Sequence, residues 1–476
     1  MNFIVPQFNV IIPELIILGM ACFILLVDVF LPKRYHDVSY ALSQLTLVAA
    51  AAMSVVQLKW PVMLSFDNTF ILDRMAVILK LFIYLLTFFA FVYARVYNKE
   101  HKMDSGEYYV LGLFSVLGMM ILVSAHNLIT IYLGTELLAL PLYAMAAFRR
   151  LSTASAEGAM KFFVTGAMAS ALLLYGMSFL YGVTGDLDVT AIAQALQGSS
   201  YHAAMIAGMI FVVVGILFKI GAVPFHMWIP DVYQGSASPV TALITSAPKV
   251  AGFAMAIRLL VDTMPSLSHD WRSLLVIAAF LSMLFGNLVA IAQTNIKRMF
   301  AYSSIAHMGY MSLGLIAATT TGYQAALFYV VVYAMMAVGG FGMIALLSRS
   351  GIEVENIADF RGLNSRNPWL AFMFLLLLFS MAGIPPTVGF FAKLSLIDAL
   401  IHVHLEWLAC VALVFAIIGA FYYIRVVKTM YFEKPINLSA ISVAKDANLA
   451  LSLNALAMVV LGVFPGWLFS FCYSAF

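Results

Sequence analysis

Cysteine and charge are what this sequence has least of: three cysteines among 476 residues, and charged side chains at only 10%. Cys22, Cys410 and Cys472 stand far apart in apolar stretches, so no CxxC pair, zinc spacing or iron–sulfur spacing is present. There is no GxGxxG after a strand, no GxxxxGK(S/T) and no HExxH. The nearest approach to a metal pattern is His402, His404 and Glu406, but residues two apart on a helix face different ways. The chain thus offers no cofactor, nucleotide or metal site of its own. Nucleic acid is excluded as well, because no Lys/Arg-rich cluster with interleaved aromatics exists. The longest polar connections, 183–202 and 347–368, leave no room for a separate soluble domain.

What remains is apolar. The chain is 64% hydrophobic with a mean hydropathy of +1.00. Runs long enough to cross a bilayer recur from end to end, so lipid is the solvent of this protein. Polar breaks divide it into about fourteen spans: 10–31, 38–57, 72–96, 107–125, 127–148, 156–183, 202–229, 238–262, 271–293, 298–318, 321–347, 368–398, 404–431 and 446–474. The first run lacks a basic leader and a small-residue cleavage site, and reads as a retained helix.

An even number of spans puts both termini on one side. Connections after odd-numbered spans, with their flanks, carry sixteen basic residues, from Lys33 and Arg34 through Arg149, Lys297 and Arg361 to Lys445. Those after even-numbered spans carry only Lys59, Arg74, Arg258 and Arg272. The asymmetry makes odd connections cytoplasmic and both termini external. Lys161 is placed to snorkel to the cytoplasmic surface, and Lys80 to snorkel outward from a deeper position.

Four charges do not belong in hydrocarbon. Glu136 lies near the centre of the fifth span, Lys249 near the centre of the eighth, and Lys219 and Lys393 deep in the seventh and twelfth. Each costs roughly 2.5–3.5 kcal/mol at the bilayer centre, so the set costs on the order of 10 kcal/mol unless paired or hydrated. One carboxylate and three lysines cannot neutralise one another. Ion pairs that merely tie helices together are the plain alternative to proton-transfer groups. His307, in the tenth span beside Ser303, Ser304 and Tyr310, adds a group that titrates near neutrality, or else a histidine that only packs helices.

The seventh span reads FKIGAVPFHMWIPD, with Gly221, Pro224 and Pro230 following Lys219. The twelfth reads FSMAGIPPTVGFFAK, with Gly383, Pro385, Pro386 and Gly389 ahead of Lys393. Proline removes a backbone donor and clashes with the preceding turn, so both spans are expected to break, Pro224 being the break in the first. The freed carbonyls must face protein or water. Two lysine-bearing broken helices five spans apart imply an internal repeat, and an odd interval inverts it. His226 and Asp231 either line an entrance or face the surface. The expected architecture is an all-α polytopic membrane protein. It has an N-terminal three-helix segment (1–106), two inverted five-helix repeats (107–265, spans four to eight; 266–435, spans nine to thirteen) and a C-terminal helix (436–476).

The segments LGTELLALPLYAM, FKIGAVPFHMWIPDVYQGS, TSAPKVAGF, IKRMFAYSSIAHMGY and AGIPPTVGFFAK together resemble the antiporter-like subunits of proton-pumping NADH:quinone oxidoreductase, respiratory complex I. The likeness spans nearly the whole chain. The ELLALPLYA context of Glu136, the span count and the lack of a long C-terminal extension resemble the N type more than the M or L type. The resemblance implies that Glu136 and Lys219 form an interacting pair, that Lys249 is a central lysine, and that Lys393 serves the second broken helix. His307 matches more loosely. It also implies proton translocation in a bacterial inner membrane beside other membrane-arm subunits, especially K and M. Flavin, iron–sulfur clusters and quinone would then belong to other subunits. A multisubunit cation/proton antiporter and a non-pumping membrane scaffold are the alternatives.

Overall fold

Six of the described helices begin at a side-chain cap. Asp73, Asn127, Ser152, Asn295, Thr319 and Asn367 each accept a hydrogen bond from a backbone N–H in the first turn that follows. In the computed structural model, which describes residues 7–30, 37–103, 105–197, 202–349, 352–435, 441 and 443–476, nearly everything else is helix. Lys33, Arg34 and the expected boundary at 436 lie outside the described residues.

The chain starts with α1 (Ile12–Phe30) and α2 (Asp37–Gln57), then a short antiparallel hairpin of β1 (Met63–Ser65) and β2 (Phe70–Leu72). Next come α3 (Arg74–Glu100), α4 (Glu107–Val123), α5 (Leu128–Ala146), α6 (Thr153–Thr184) and the short α7 (Val189–Gln197). The middle holds α8 (His202–Ile220), α9 (Trp228–Gly235), α10 (Ser238–Thr245) and α11 (Ala247–Ala256), which runs on as a π-helix over Ile257–Asp262. It continues with α12 (Ser268–Ala292), α13 (Ile296–Ala317), α14 (Thr320–Leu347) and α15 (Leu363–Arg366). The chain closes with α16 (Pro368–Ala382), α17 (Val388–His402), α18 (Glu406–Phe432), α19 (Lys445–Val463) and α20 (Pro465–Tyr473).

Eleven of the described helices are long and apolar enough to cross a membrane, and the chain is an integral membrane protein. The other three expected spans fall on α4, on α13 and on the pair α16–α17. The segment Ser238–Asp262 is buried on every side, and α14 and α3 nearly so. Apolar all round, these three form the centre of the bundle.

Polar contacts sort the connections into two faces. One face joins Arg95 to Asp37 and Asp446, Arg149 and Lys297 to Glu353, and Arg361 to Glu433, all at odd-numbered connections. The other joins Arg258 to Asp73 and Asp262, and His126 to Asp188, all at even-numbered ones. Among the described residues no ion pair crosses between the sets. The Gln7 N–H donates to Ser65 and Tyr473 O accepts from Gln324, so Gln7 and Tyr473 lie on the even face.

Two expectations about lysine need correction. Lys80 does not snorkel: it is 0% exposed and pairs with Glu14 of α1 at 2.6 Å, so the protein interior holds a further lysine and a further carboxylate. Lys297, counted with the surface charges, is also fully buried. Its Nζ donates to Ser236 O at 2.6 Å and meets Glu353 Oε1 at 3.1 Å. Lys161 is exposed as expected, paired with Glu157 and Asp231.

Candidate functional site

Both interrupted spans end at a glycine, ahead of their prolines. Gly221 follows α8 with φ +77°, and Gly383 follows α16 with φ +82°. The N–H groups of Gly221 and Ala222 return to Leu217 O at 2.8 Å, and those of Gly383 and Ile384 to Phe379 O at 3.0 Å. This is one and the same helix-closing turn, and its left-handed residue is glycine because a Cβ there is costly. The expectation that Pro224 makes the break is therefore corrected. Gly221 stops the helix, Pro224 falls in the irregular stretch beyond it, and α9 begins at Trp228.

Each closure leaves a terminal carbonyl, and each carbonyl receives a lysine. Lys249 Nζ donates to Ile220 O at 2.7 Å. Lys393 Nζ donates to Ala382 O at 2.8 Å and Met381 O at 3.2 Å. Each ammonium also stands over an aromatic ring, Trp228 for Lys249 and Tyr310 for Lys393, both at 5.4 Å. The negative end of each half-helix thus faces a cation. Spacing along the chain matched Lys219 with Lys393, but in space Lys249 and Lys393 play the same part. Lys249 reaches its carbonyl because the eighth span is interrupted too, at Ser246, with Pro248 in the first turn of α11.

Lys219 is held more loosely. Its Nζ donates to Thr135 O at 3.3 Å, and no ion pair links it to Glu136, although the carboxylate is near enough to act on it through space. Glu136 Oε1 is buried without a hydrogen-bond partner. Lys219 and Lys249 line one cavity of ≈ 20 Å³ with Leu142, Phe162, Phe218 and Trp228. That is room for about one water. Lys219 and Lys249 therefore share a water-sized space, and Glu136, outside its lining, acts on Lys219 through space.

The second group surrounds Lys393. A cleft of ≈ 250 Å³ reaches it between α13, α17 and α18, lined by Tyr310, Gly383, Phe390 and Ala412. Beyond Tyr310 lies His307, with Nδ1 2.7 Å from the Tyr329 hydroxyl and Nε2 3.1 Å from that of Tyr423. Tyr423 is also hydrogen-bonded to Ser303. The tyrosines Tyr329 and Tyr423 had no motif to reveal them, since aromatics are common everywhere in this chain. Among the described residues no hydrogen bond or ion pair joins Lys249 to Lys393 or His307. Inside the first break, Ser282 of α12 accepts from Val223 N at 2.9 Å.

Asp231 lies on the odd face, held by Lys161 at 2.7 Å and Arg298 at 2.9 Å, so it ties α9 to α6 and α13. His226 is half-buried, and its Nδ1 has no partner. His402 and His404 are exposed and pair with Asp398 and Glu406 respectively.

Interrupted membrane helices with charged side chains at their ends are features of ion-transporting membrane proteins. Residues 125–419 match the family profile described as NADH:quinone oxidoreductase/Mrp antiporter, transmembrane. Proteins named NADH-quinone oxidoreductase subunit N from Thioalkalivibrio sulfidiphilus and Coxiella burnetii are each 53% identical to the chain. The first match covers 100% of this chain and 99% of the relative, and the second 99% of each. The chain belongs to the NADH-quinone oxidoreductase subunit N family. A chain in the structure of respiratory complex I from Thermus thermophilus with bound aureothin superposes with a TM-score of 0.83 at 29% identity, covering 96% of this chain and 99% of that one. A chain of the Mrp complex from Dietzia sp. shares the fold, with a TM-score of 0.85 at 19% identity and coverage of 98% and 96%.

Proposed function

We propose that the chain is a proton-translocating membrane-arm subunit of respiratory NADH:quinone oxidoreductase, its protons driven by electron transfer from NADH to quinone in other subunits. Membership of the family supports the assembly. The observation that carries the translocation reading is the pair of half-helix ends, each closed by glycine and each capped by a lysine ammonium. A lysine ammonium held only by one or two carbonyls and a ring keeps a donor free for water, so it can gain and lose a proton.

In this reading a proton enters from the cytoplasm near the seventh-span break, passes along Lys219, Lys249 and Lys393, and leaves outward. His307 and its tyrosines serve the second half. Glu136 binds Lys219 in one state and releases it in another, and the described arrangement corresponds to the released one. The pair must do work of about 2.3 kcal/mol per charge per 100 mV. Fourteen crossings, repeats at 107–265 and 266–435, odd connections in the cytoplasm and termini in the periplasm of a bacterial inner membrane complete the proposal. Membrane-arm subunits M and K are the proposed neighbours, with flavin, iron–sulfur clusters and quinone outside this chain.

The test is replacement of Lys219 or Glu136 by alanine in the assembled complex, with proton pumping measured per NADH oxidised. The reading requires a lower ratio, and undiminished pumping at normal electron transfer would sink it. Copurification without flavin and iron–sulfur subunits would point instead to a cation/proton antiporter. Loss of assembly in place of loss of pumping would point to a scaffold.

A further inference from the structure

The even-numbered face carries a titratable cluster outside the lysine row. His126 sits in the connection between α4 and α5 and is only 8% exposed. Its Nε2 lies 3.0 Å from Thr190 Oγ1 and 3.8 Å from Asp188 Oδ2. Thr190 is exposed, so this edge of the ring reaches the surface. The other edge does not: His126 Nδ1 is buried and has no hydrogen-bond partner, and neither has the buried Asp188 Oδ2. The remaining charges around the imidazole are Arg258, Asp73 and Asp262. Arg258 lies on the continuation of α11, nine residues beyond Lys249, roughly 13 Å along the helix. It holds Asp73 at 2.7 Å and Asp262 at 3.2 Å. A purely structural network would satisfy its buried atoms, and this one leaves one ring nitrogen and one carboxylate oxygen open.

We propose that His126 and Asp188 form an outward-facing proton-release site for the first half of the chain, an inference that rests on the translocation reading above. The neutral imidazole carries its proton on Nε2 and takes an incoming proton at the buried Nδ1. The imidazolium is stabilised by the Asp188 carboxylate, and the Nε2 proton then leaves past Thr190 to the outer solution, so one proton arrives and one departs. Burial holds the His126 imidazole below its ordinary value while Asp188 opposes, which suits a group that must release rather than keep a proton.

The experiment compares Lys249→Met, His126→Gln and Asp188→Asn in the whole complex, reconstituted with the even face toward the vesicle lumen. Asp188→Asn keeps the Oδ1 acceptor that caps the Thr190 and Ala191 N–H groups, so α7 should survive if His126→Gln does not assemble. The readout is protons moved per NADH oxidised at luminal pH from 5 to 8. The proposal expects the ratio in the His126 and Asp188 variants to fall by the same fraction as in Lys249→Met, and their dependence on luminal pH to flatten. A lowered ratio in Lys249→Met with native values and native pH dependence in the other two overturns the release site and leaves the lysine row standing. Native values in all three overturn both.

Discussion

Removing Glu353 should loosen the protein more than removing almost any other loop residue. This carboxylate is 4% exposed, and both oxygens are filled. One receives Lys297 and the Ser238 hydroxyl, and the other Arg149 and the Tyr97 hydroxyl. Burial by itself would raise the Glu353 carboxyl. Lys297, the two hydroxyls and Arg149 outweigh it and pull the value from 4.5 down to about 2. A shift of that size is worth about 3 kcal/mol between the folded and unfolded chain. Because the folded value is depressed, this stability is fully present above pH 4.5 and disappears as pH falls toward 2. Glu353→Ala should therefore cost about 3–5 kcal/mol at neutral pH, since it strands the buried Lys297 ammonium. Glu353→Ala with Lys297→Met should recover most of it. The assay is equilibrium unfolding in mixed micelles at pH 7 and again at pH 3. A single-variant loss under about 1 kcal/mol at pH 7, a size ordinary for an exposed ion pair, would refute the reasoning.

Three further outcomes follow from the same geometry. Gly221→Ala puts a Cβ 2.0 Å from Ile229 Cδ1 and 3.1 Å from Lys249 Nζ in a left-handed position, and Gly383→Ala puts one 2.9 Å from Lys393 Cδ. Each should cost about 1–2 kcal/mol in backbone strain and lower protons moved per NADH by displacing the lysine cap. Lys80→Met removes the ion-pair partner of the buried Glu14, so the yield of assembled complex on a native gel should drop, and Glu14→Gln added to it should restore the yield. Ser282→Ala strips the Val223 N–H of its acceptor, a loss of about 1–3 kcal/mol that a lower thermal midpoint would report.

Much of this site is legible in the sequence because lipid makes each deviation from apolarity conspicuous. Glu136, Lys219, Lys249 and Lys393 stand out one residue at a time, and the Gly/Pro clusters mark both breaks. The relations among them are not legible. That Lys249, and not Lys219, matches Lys393 depends on an extra interruption at Ser246, signalled only by Pro248. Glu14 and Lys80 each look tolerable near a helix end, and only the tertiary structure, which brings α1 and α3 to the same neighbours α2 and α4, shows them as one buried pair. Glu353 and Lys297 read as surface charges because connections usually are surface.

The sequence by itself determines the medium, the spans, the orientation signal and the identity of the costly charges, since hydropathy and charge are properties of single residues summed over short windows. Partnership belongs to the tertiary structure alone. Whether a buried lysine meets a carboxylate, a carbonyl or a ring depends on which helices stand side by side. In a bundle whose surfaces are alike in apolarity, close packing and a few polar contacts settle that, and hydropathy does not.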